Sequence, residues 1–150
     1  LLFTLDLDLP FDETYQIQKI LKRRGALIYS EKSPLAQKNP LTLPDFALEP
    51  LLVLNRQTAP GIHQNAIENL RKLGIPEPQI LETENFATLF ATLELGHGYS
   101  ILTEEVTLHH PKLHKYVLNH TFGTWIIAAW KHGHPLTELL MDRFCAEKIF

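Results

Sequence analysis

The stretch from Gln79 to Val106, QILETENFATLFATLELGHGYSILTEEV, constrains the fold more than any other part of the chain. Phe86, Leu89, Phe90 and Leu93 recur at i, i+3, i+4 and i+7, which places one apolar stripe along a helix. The pattern stops at Gly96-His97-Gly98, where glycine can take the left-handed backbone that ends a helix. Gln79 to Leu81 before it and Tyr99-Ser100-Ile101-Leu102 after it are short, apolar and β-prone. A helix that leaves one strand and enters another is the crossover unit of a parallel sheet. In open sheets of this kind, ligands bind in the crevice outside the carboxyl ends of the strands. This segment alone therefore predicts an α/β protein that holds a small molecule.

The rest of the chain supports that class. Leu5-Asp6-Leu7-Asp8-Leu9 alternates apolar and acidic residues and reads as a half-buried strand ended by Pro10. Tyr15 to Leu21 alternates less cleanly, and Gly25 to Tyr29 suits a separate buried strand. Between Ser30 and Pro50 the composition shifts to Pro, Ser, Lys and Asn, with a brief helical turn expected at Leu43 to Leu48. Leu51 to Leu54 is a strongly β-prone strand that opens into the polar loop Asn55 to Pro60. Ile62, Ala66, Ile67, Leu70 and Leu73 then mark a second amphipathic helix, closed by Gly74 and Pro76. Leu113 to Leu118 and Thr124 to Trp130 read as further strands. Pro135 opens a last helix, with Leu136, Leu139, Leu140 and Phe144 on its stripe.

Composition narrows the function. With 45% apolar and 21% charged residues the chain has the make-up of a globular protein. A formal net charge of −3 gives it no general attraction for nucleic acid or anionic lipid. The short basic run Lys22-Arg23-Arg24 is expected on the solvent side of a strand or turn. No stretch approaches the roughly 18 to 20 apolar residues of a membrane-spanning helix, and the start lacks the features of a signal peptide. The single Cys145 has no partner for an internal disulfide, which fits a reducing cytoplasm. It is expected to serve packing or to lie at the surface.

The residues that could bind sit in the loops after the strands. Thr83, Glu84, Asn85 and Phe86 surround the start of a helix, whose N–H groups and dipole favour an anionic or carbonyl group. Thr83 or Asn85 could equally cap that helix, and capping does not prevent facing a cleft. Arg56, Gln57 and Thr58 offer polar donors at the other strand end, and Arg56 can pair with a carboxylate or stay solvated. Gly96 and Gly98 complete the candidate set, though turn geometry alone accounts for both. Phe86 lines either core or cleft, and its place on the stripe favours core.

Metal and catalytic readings find little. His109, His110 and His114, and separately His132 and His134, are spaced like ligands but lie in loop-like segments without cysteine or an acid-flanked helical pair, so no metal is expected. No nucleophile elbow, phosphate loop or zincin motif is present. Glu104 and Glu105, read as part of a strand, would point to opposite faces and could not act together. The chain is not expected to be an enzyme, and no cofactor is implied.

Taken in order, several segments resemble the effector-binding domain of LysR-type transcriptional regulators. Asp6-Leu7 is similar to that family's Asp-Leu-Ala at a strand end. Ser33-Pro34-Leu35-Ala36 resembles its His-Pro-Leu-Ala corner, with serine for the usual histidine. Leu41 to Phe46 and Pro50 to Leu52 follow as its short helix and next strand. Glu94 to Glu104 resembles the Ala-Gly-x-Gly-Ile-x-Leu-Pro-Glu turn, with Thr103 where proline is common. The tail from Trp125 to Phe144 resembles the closing strand and helix.

The resemblance implies a two-lobe, type 2 periplasmic-binding-protein-like fold with the first lobe incomplete. Residues 1–12 and 111–150 would contribute to lobe I and residues 13–110 would form lobe II, with a small-molecule effector between them. It further implies a cytoplasmic homodimer or homotetramer, and DNA contact only through a winged helix of a longer parent. A transport-type solute-binding protein shares the fold and is the alternative reading. An enzyme on the same scaffold would need a catalytic pair, and a purely structural domain would fill the cleft with its own side chains.

Overall fold

A computed structural model describes residues 1–7, 11–76 and 78–146. Its strands are β1 (Leu2–Leu5), β2 (Tyr15–Ser30), β3 (Leu51–Leu54), β4 (Ile80–Thr83), β5 (Tyr99–Thr103), β6 (Leu113–Val117) and β7 (Gly123–Lys131). Its α-helices are α1 (Pro60–Leu73), α2 (Phe86–Glu94) and α3 (Pro135–Ala146), with 3-10 turns at Pro34–Gln37, Leu43–Leu48 and Glu104–Leu108. The chain divides into two compact units, Arg24–Gly123 and the pair of segments Leu1–Arg23 and Thr124–Phe150.

The Arg24–Gly123 unit is a mixed sheet in the order β6, second half of β2, β5, β3, β4. β3 runs parallel to both β4 and β5, and β5 and β6 run antiparallel to β2. The connections β3–α1–β4 and β4–α2–β5 are therefore the crossovers expected of parallel strands. Alternation along β3 shows how the two helices use the sheet. Leu51 and Val53 join Ala66 and Leu70 of α1 in one cluster, while Leu52 and Leu54 join Leu89 and Leu93 of α2 in another. Successive strand side chains point to opposite faces, so α1 and α2 cover opposite faces of the sheet. β2 splits the same way, Leu27 and Tyr29 against Ala26 and Ile28.

α1 ends as its sequence predicts: Gly74 is left-handed at φ 70°, and the Ile75 amide bonds the Leu70 carbonyl at 3.1 Å. Tyr99 is wholly buried against Phe46, and that burial pushes its phenol well above the usual tyrosine range.

In the other unit β7 is flanked by β1 and β2. Met141 of α3 buries against Ala128 and Trp130 of β7, with Ile20 of β2 packed alongside. Here three expectations change. The first strand is Leu2–Leu5, not Leu5 to Leu9. Asp6 follows it as a bend whose amide donates to the Trp125 carbonyl at 3.0 Å, while its carboxylate accepts the Thr124 hydroxyl at 2.5 Å and the Trp125 amide at 2.9 Å. Residues 8–10, where the strand was expected to end, lie outside the described residues, as does the side chain of Cys145.

β2 is one strand of 16 residues where two were expected, and it carries Lys22, Arg23 and Arg24 within it. Gly25 does not break it, since its amide bonds the Phe122 carbonyl and its carbonyl accepts from the Leu118 amide, each at 3.0 Å. Finally, Leu136, Leu139 and Leu140 of α3 lie exposed, and Met141 fills the buried position instead.

Candidate functional site

The parallel pairing of β3 and β4 sets Leu54 beside Thr83, so both strands end together. The loops that follow are joined directly, the Asn55 amide donating to the Thr83 carbonyl at 2.9 Å. Asn55 then folds its own loop. Its side-chain oxygen accepts the Thr58 amide at 2.7 Å, and its carbonyl accepts the amides of Thr58 and Ala59. This turn holds Arg56 and Gln57 out in solvent on a short, fixed base.

Thr83 is buried, and its hydroxyl turns back to the Val53 carbonyl at 3.4 Å. Asn85 is the N-cap of α2, its side-chain oxygen accepting the Thr88 amide at 2.9 Å. The capping reading therefore holds for Asn85. The Leu89 amide goes to the Asn85 carbonyl, and α2 starts beside the Arg56 loop with its positive dipole end outward.

The structure thus brings Arg56, Gln57, Thr58, Thr83, Asn85 and Phe86 to one end of the sheet. Gly96 and Gly98 go elsewhere. They precede β5, whose Tyr99 lies beside Leu51, so they sit at the amino ends of the same strands. Both have positive φ, 92° and 70°, and a Cβ at Gly98 would overlap the Pro50 carbonyl oxygen. Close approach explains the two glycines there. Phe86 also departs from expectation. It is 43% exposed, stacked on Phe90 at 6.2 Å, and Phe90 stacks on His110 at 4.3 Å. As the first residue of α2 it clears the sheet that Leu89 and Leu93 cover.

The model of the LysR substrate binding domain matches residues 4–145. The chain belongs to this family. Its fold is that of solved LysR-type regulators. Full-length CbnR complexed with its target DNA superposes with a TM-score of 0.76 at 16% identity, over 99% of this chain and 53% of that one. The BenM effector-binding domain with its effector benzoate gives 0.70 at 15%, over 99% and 71%. The QuiR effector-binding domain in complex with shikimate gives 0.66 at 16%, over 93% and 68%. The chain spans about half the length of the solved chains heading the comparison, 46–57%. No curated protein matches the sequence significantly.

Within this LysR fold the same sheet end carries charges that the sequence does not reveal. His63 of α1 meets Glu82 of β4, Nε2 to Oε1, at 3.0 Å. At the end of β5, Arg24 and Lys115 approach the carboxylate of Glu104 at 3.8 Å and 3.5 Å. These partners lie far apart in sequence, so only the pairing of strands joins them. Glu104 and Glu105 belong to a 3-10 turn and not to a strand, which overturns the argument from opposite strand faces. The histidines have separate duties. His110 Nδ1 bonds Glu94 at 3.0 Å, His132 bonds Gln16 at 3.0 Å, and His134 bonds Thr137 at 3.1 Å. Among the described residues no three metal-ligating side chains are grouped to hold an ion. No described helix is long and apolar enough to cross a membrane.

Proposed function

We propose that this chain is the effector-sensing part of a LysR-type transcription regulator, and that the effector is a small carboxylate held at the carboxyl ends of β3 and β4. The observation that carries the reading is the hydrogen bond from the Asn55 amide to the Thr83 carbonyl, which joins the exposed Arg56 loop to the segment that leads into α2. Both features favour an anion, the guanidinium as a two-pronged donor and the helix end through its dipole. Gln57, Thr58 and Asn85 add polar groups, and Phe86 adds an exposed ring. Benzoate and shikimate, bound by the BenM and QuiR domains, are small carboxylates of the expected kind. Gly96 and Gly98 contribute by fixing the entry of β5 and not by touching the ligand.

On this reading the Arg24–Gly123 unit corresponds to lobe II, for which the resemblance gave residues 13–110, and Leu1–Arg23 with Thr124–Phe150 corresponds to lobe I. The domain binds without turnover, and DNA contact belongs to another part of a cytoplasmic parent. An effector acts by favouring one arrangement of paired domains over another, the only way a ligand shifts such an equilibrium. Calorimetric titration and thermal shift against a panel of small carboxylates test the proposal, because a bound ligand raises the melting temperature by mass action. A hit should lose about tenfold or more in affinity in Arg56→Ala, in line with about 1.5–3 kcal/mol for a charged hydrogen bond. A hit whose affinity is untouched by Arg56→Ala and by Asn85→Ala would move the site away from these loops.

A further inference from the structure

Phe86 is an unexpected residue to open a surface helix. The first position favours proline or an acid, which suit the free amides and positive end of the helix. Here it holds a phenyl side chain that stays 43% exposed.

That ring is nevertheless held. Phe86, Phe90 and Glu94 stand at i, i+4 and i+8 on one flank of α2, beside the buried stripe of Leu89 and Leu93. The planes of Phe86 and Phe90 lie 24° apart with centroids at 6.2 Å, and those of Phe90 and His110 lie 18° apart at 4.3 Å. His110 is bonded in turn through Nδ1 to Glu94 Oε1 at 3.0 Å. Its backbone is anchored as well, the His110 carbonyl accepting the amide of buried Leu113 at 2.9 Å. Glu94 at one end of α2 and the entry to β6 thus fix His110, His110 fixes the plane of Phe90, and Phe90 fixes that of Phe86. An aromatic pair at i and i+4 steadies a helix without such support. The extra members of this column hold a ring whose exposed part does no packing.

We infer that Phe86 is a specificity-determining residue, whose ring receives a flat, conjugated ring of the effector, and that Phe90, His110 and Glu94 are positioning residues for it. The inference rests on the carboxylate reading above for the ligand's other end. Arg56 follows Asn55 directly and Phe86 stands three residues beyond Thr83, so both extend from the junction where the Asn55 amide meets the Thr83 carbonyl. Offset-stacked rings attract beyond the area they bury. A ring already held in place gives up little freedom on binding. A saturated ring of the same size buries similar area but offers no flat π face.

Benzoate and cyclohexanecarboxylate, equal in charge and carbon count, form the test pair for titration calorimetry with the full chain. Benzoate should bind about two- to tenfold more tightly, the range of an aromatic contact. Phe86→Leu should erase that ratio while both compounds still bind, and Phe86→Tyr should keep it. His110→Ala should shrink the ratio, and His110→Phe, which returns a ring to Phe90, should restore it. A merely structural column would instead lower both affinities together and leave the ratio unchanged. Circular dichroism checks that each variant folds. Equal binding of the two compounds, or a preference that survives Phe86→Leu, overturns the inference. If Arg56→Ala still weakens both compounds in that case, the carboxylate reading stands without it. Benzamide, a ring without the charge, covers the converse. Binding of benzamide that Phe86→Leu removes, with the carboxylates indifferent to Arg56→Ala, keeps the ring contact and sinks the carboxylate reading. A chain that binds none of these compounds overturns both.

Discussion

A methyl group at Gly98 would overlap the Pro50 carbonyl and crowd Leu52, and the backbone there is left-handed as well. Gly74 has the same φ of 70° with open space around it, so the two positions separate steric overlap from backbone preference. Gly74→Ala should cost only the left-handed penalty, about 1–2 kcal/mol. Gly98→Ala should cost distinctly more, because β5 must shift away from Pro50, and urea unfolding of both variants measures the difference. Asp45 supplies a pH-dependent counterpart. The hydroxyl and amide of Thr42, then Lys38, hold its carboxyl below the usual aspartate range. A depressed folded pKa stabilises fully above the unfolded value and is lost as pH falls through the folded one. Asp45→Ala should therefore be less stable than the parent at neutral pH and converge on it in acid, and denaturation midpoints on both sides of the ordinary aspartate pKa test this.

At the scale of elements, α2 is short enough for its cap to matter. Asn85→Ala removes the bond to the Thr88 amide and should lower stability by about 1 kcal/mol, the usual value for a lost N-cap. The same substitution tests two roles at once, and Asn85→Ser, which keeps a capping oxygen, separates the cap from any contact to an effector. The sequence was readable where structure is set locally. β3, α1, β4, α2 and β5 all appear near their expected bounds, because 3.6-residue and 2-residue periods and the left-handed glycines report on neighbouring residues. It was unreadable where distant backbone decides. Gly25 looked like a strand start, yet Phe122 and Leu118 supply its hydrogen bonds and carry β2 straight through. Asp6 looked like an outward strand residue until Thr124 and Trp125 claimed its carboxylate. For the candidate residues Arg56, Gln57, Thr58, Thr83 and Asn85, what was legible was their place after the end of a strand. Their being side by side rests on the register of β3 with β4. Glu82, Glu104 and Lys115 had no local signal to mark them.

For the whole molecule, the two compact units differ in how much apolar surface each encloses. The Arg24–Gly123 unit buries two clusters, one around Leu27, Phe46 and Val53 and one around Ile28, Leu52 and Leu93. In the other unit the described cluster is Ala128, Trp130 and Met141 with Ile20 alongside, while Leu2, Phe3, Leu136 and Leu139 stay between 45% and 71% exposed. Burial contributes roughly 25 cal/mol for each Å² of apolar area removed from water, so the second unit has far less to hold it closed. Cooperative regions with few buried contacts open at lower free energy than the rest of a protein. Native-state hydrogen exchange should therefore find the amides of Leu27, Ile28, Leu52 and Val53 protected to near the global unfolding free energy. Those of Ala128 and Ala129 should exchange through a separate, lower-energy opening, although they are just as buried in the static structure. Uniform protection across both sets would mean that β2, which runs through both units, couples them into one cooperative body. In that case Met141→Ala, an excavation worth about 2–5 kcal/mol, would lower protection at Val53 as much as at Ala128. If the units open independently, it should lower protection at Ala128 and leave Val53 unchanged.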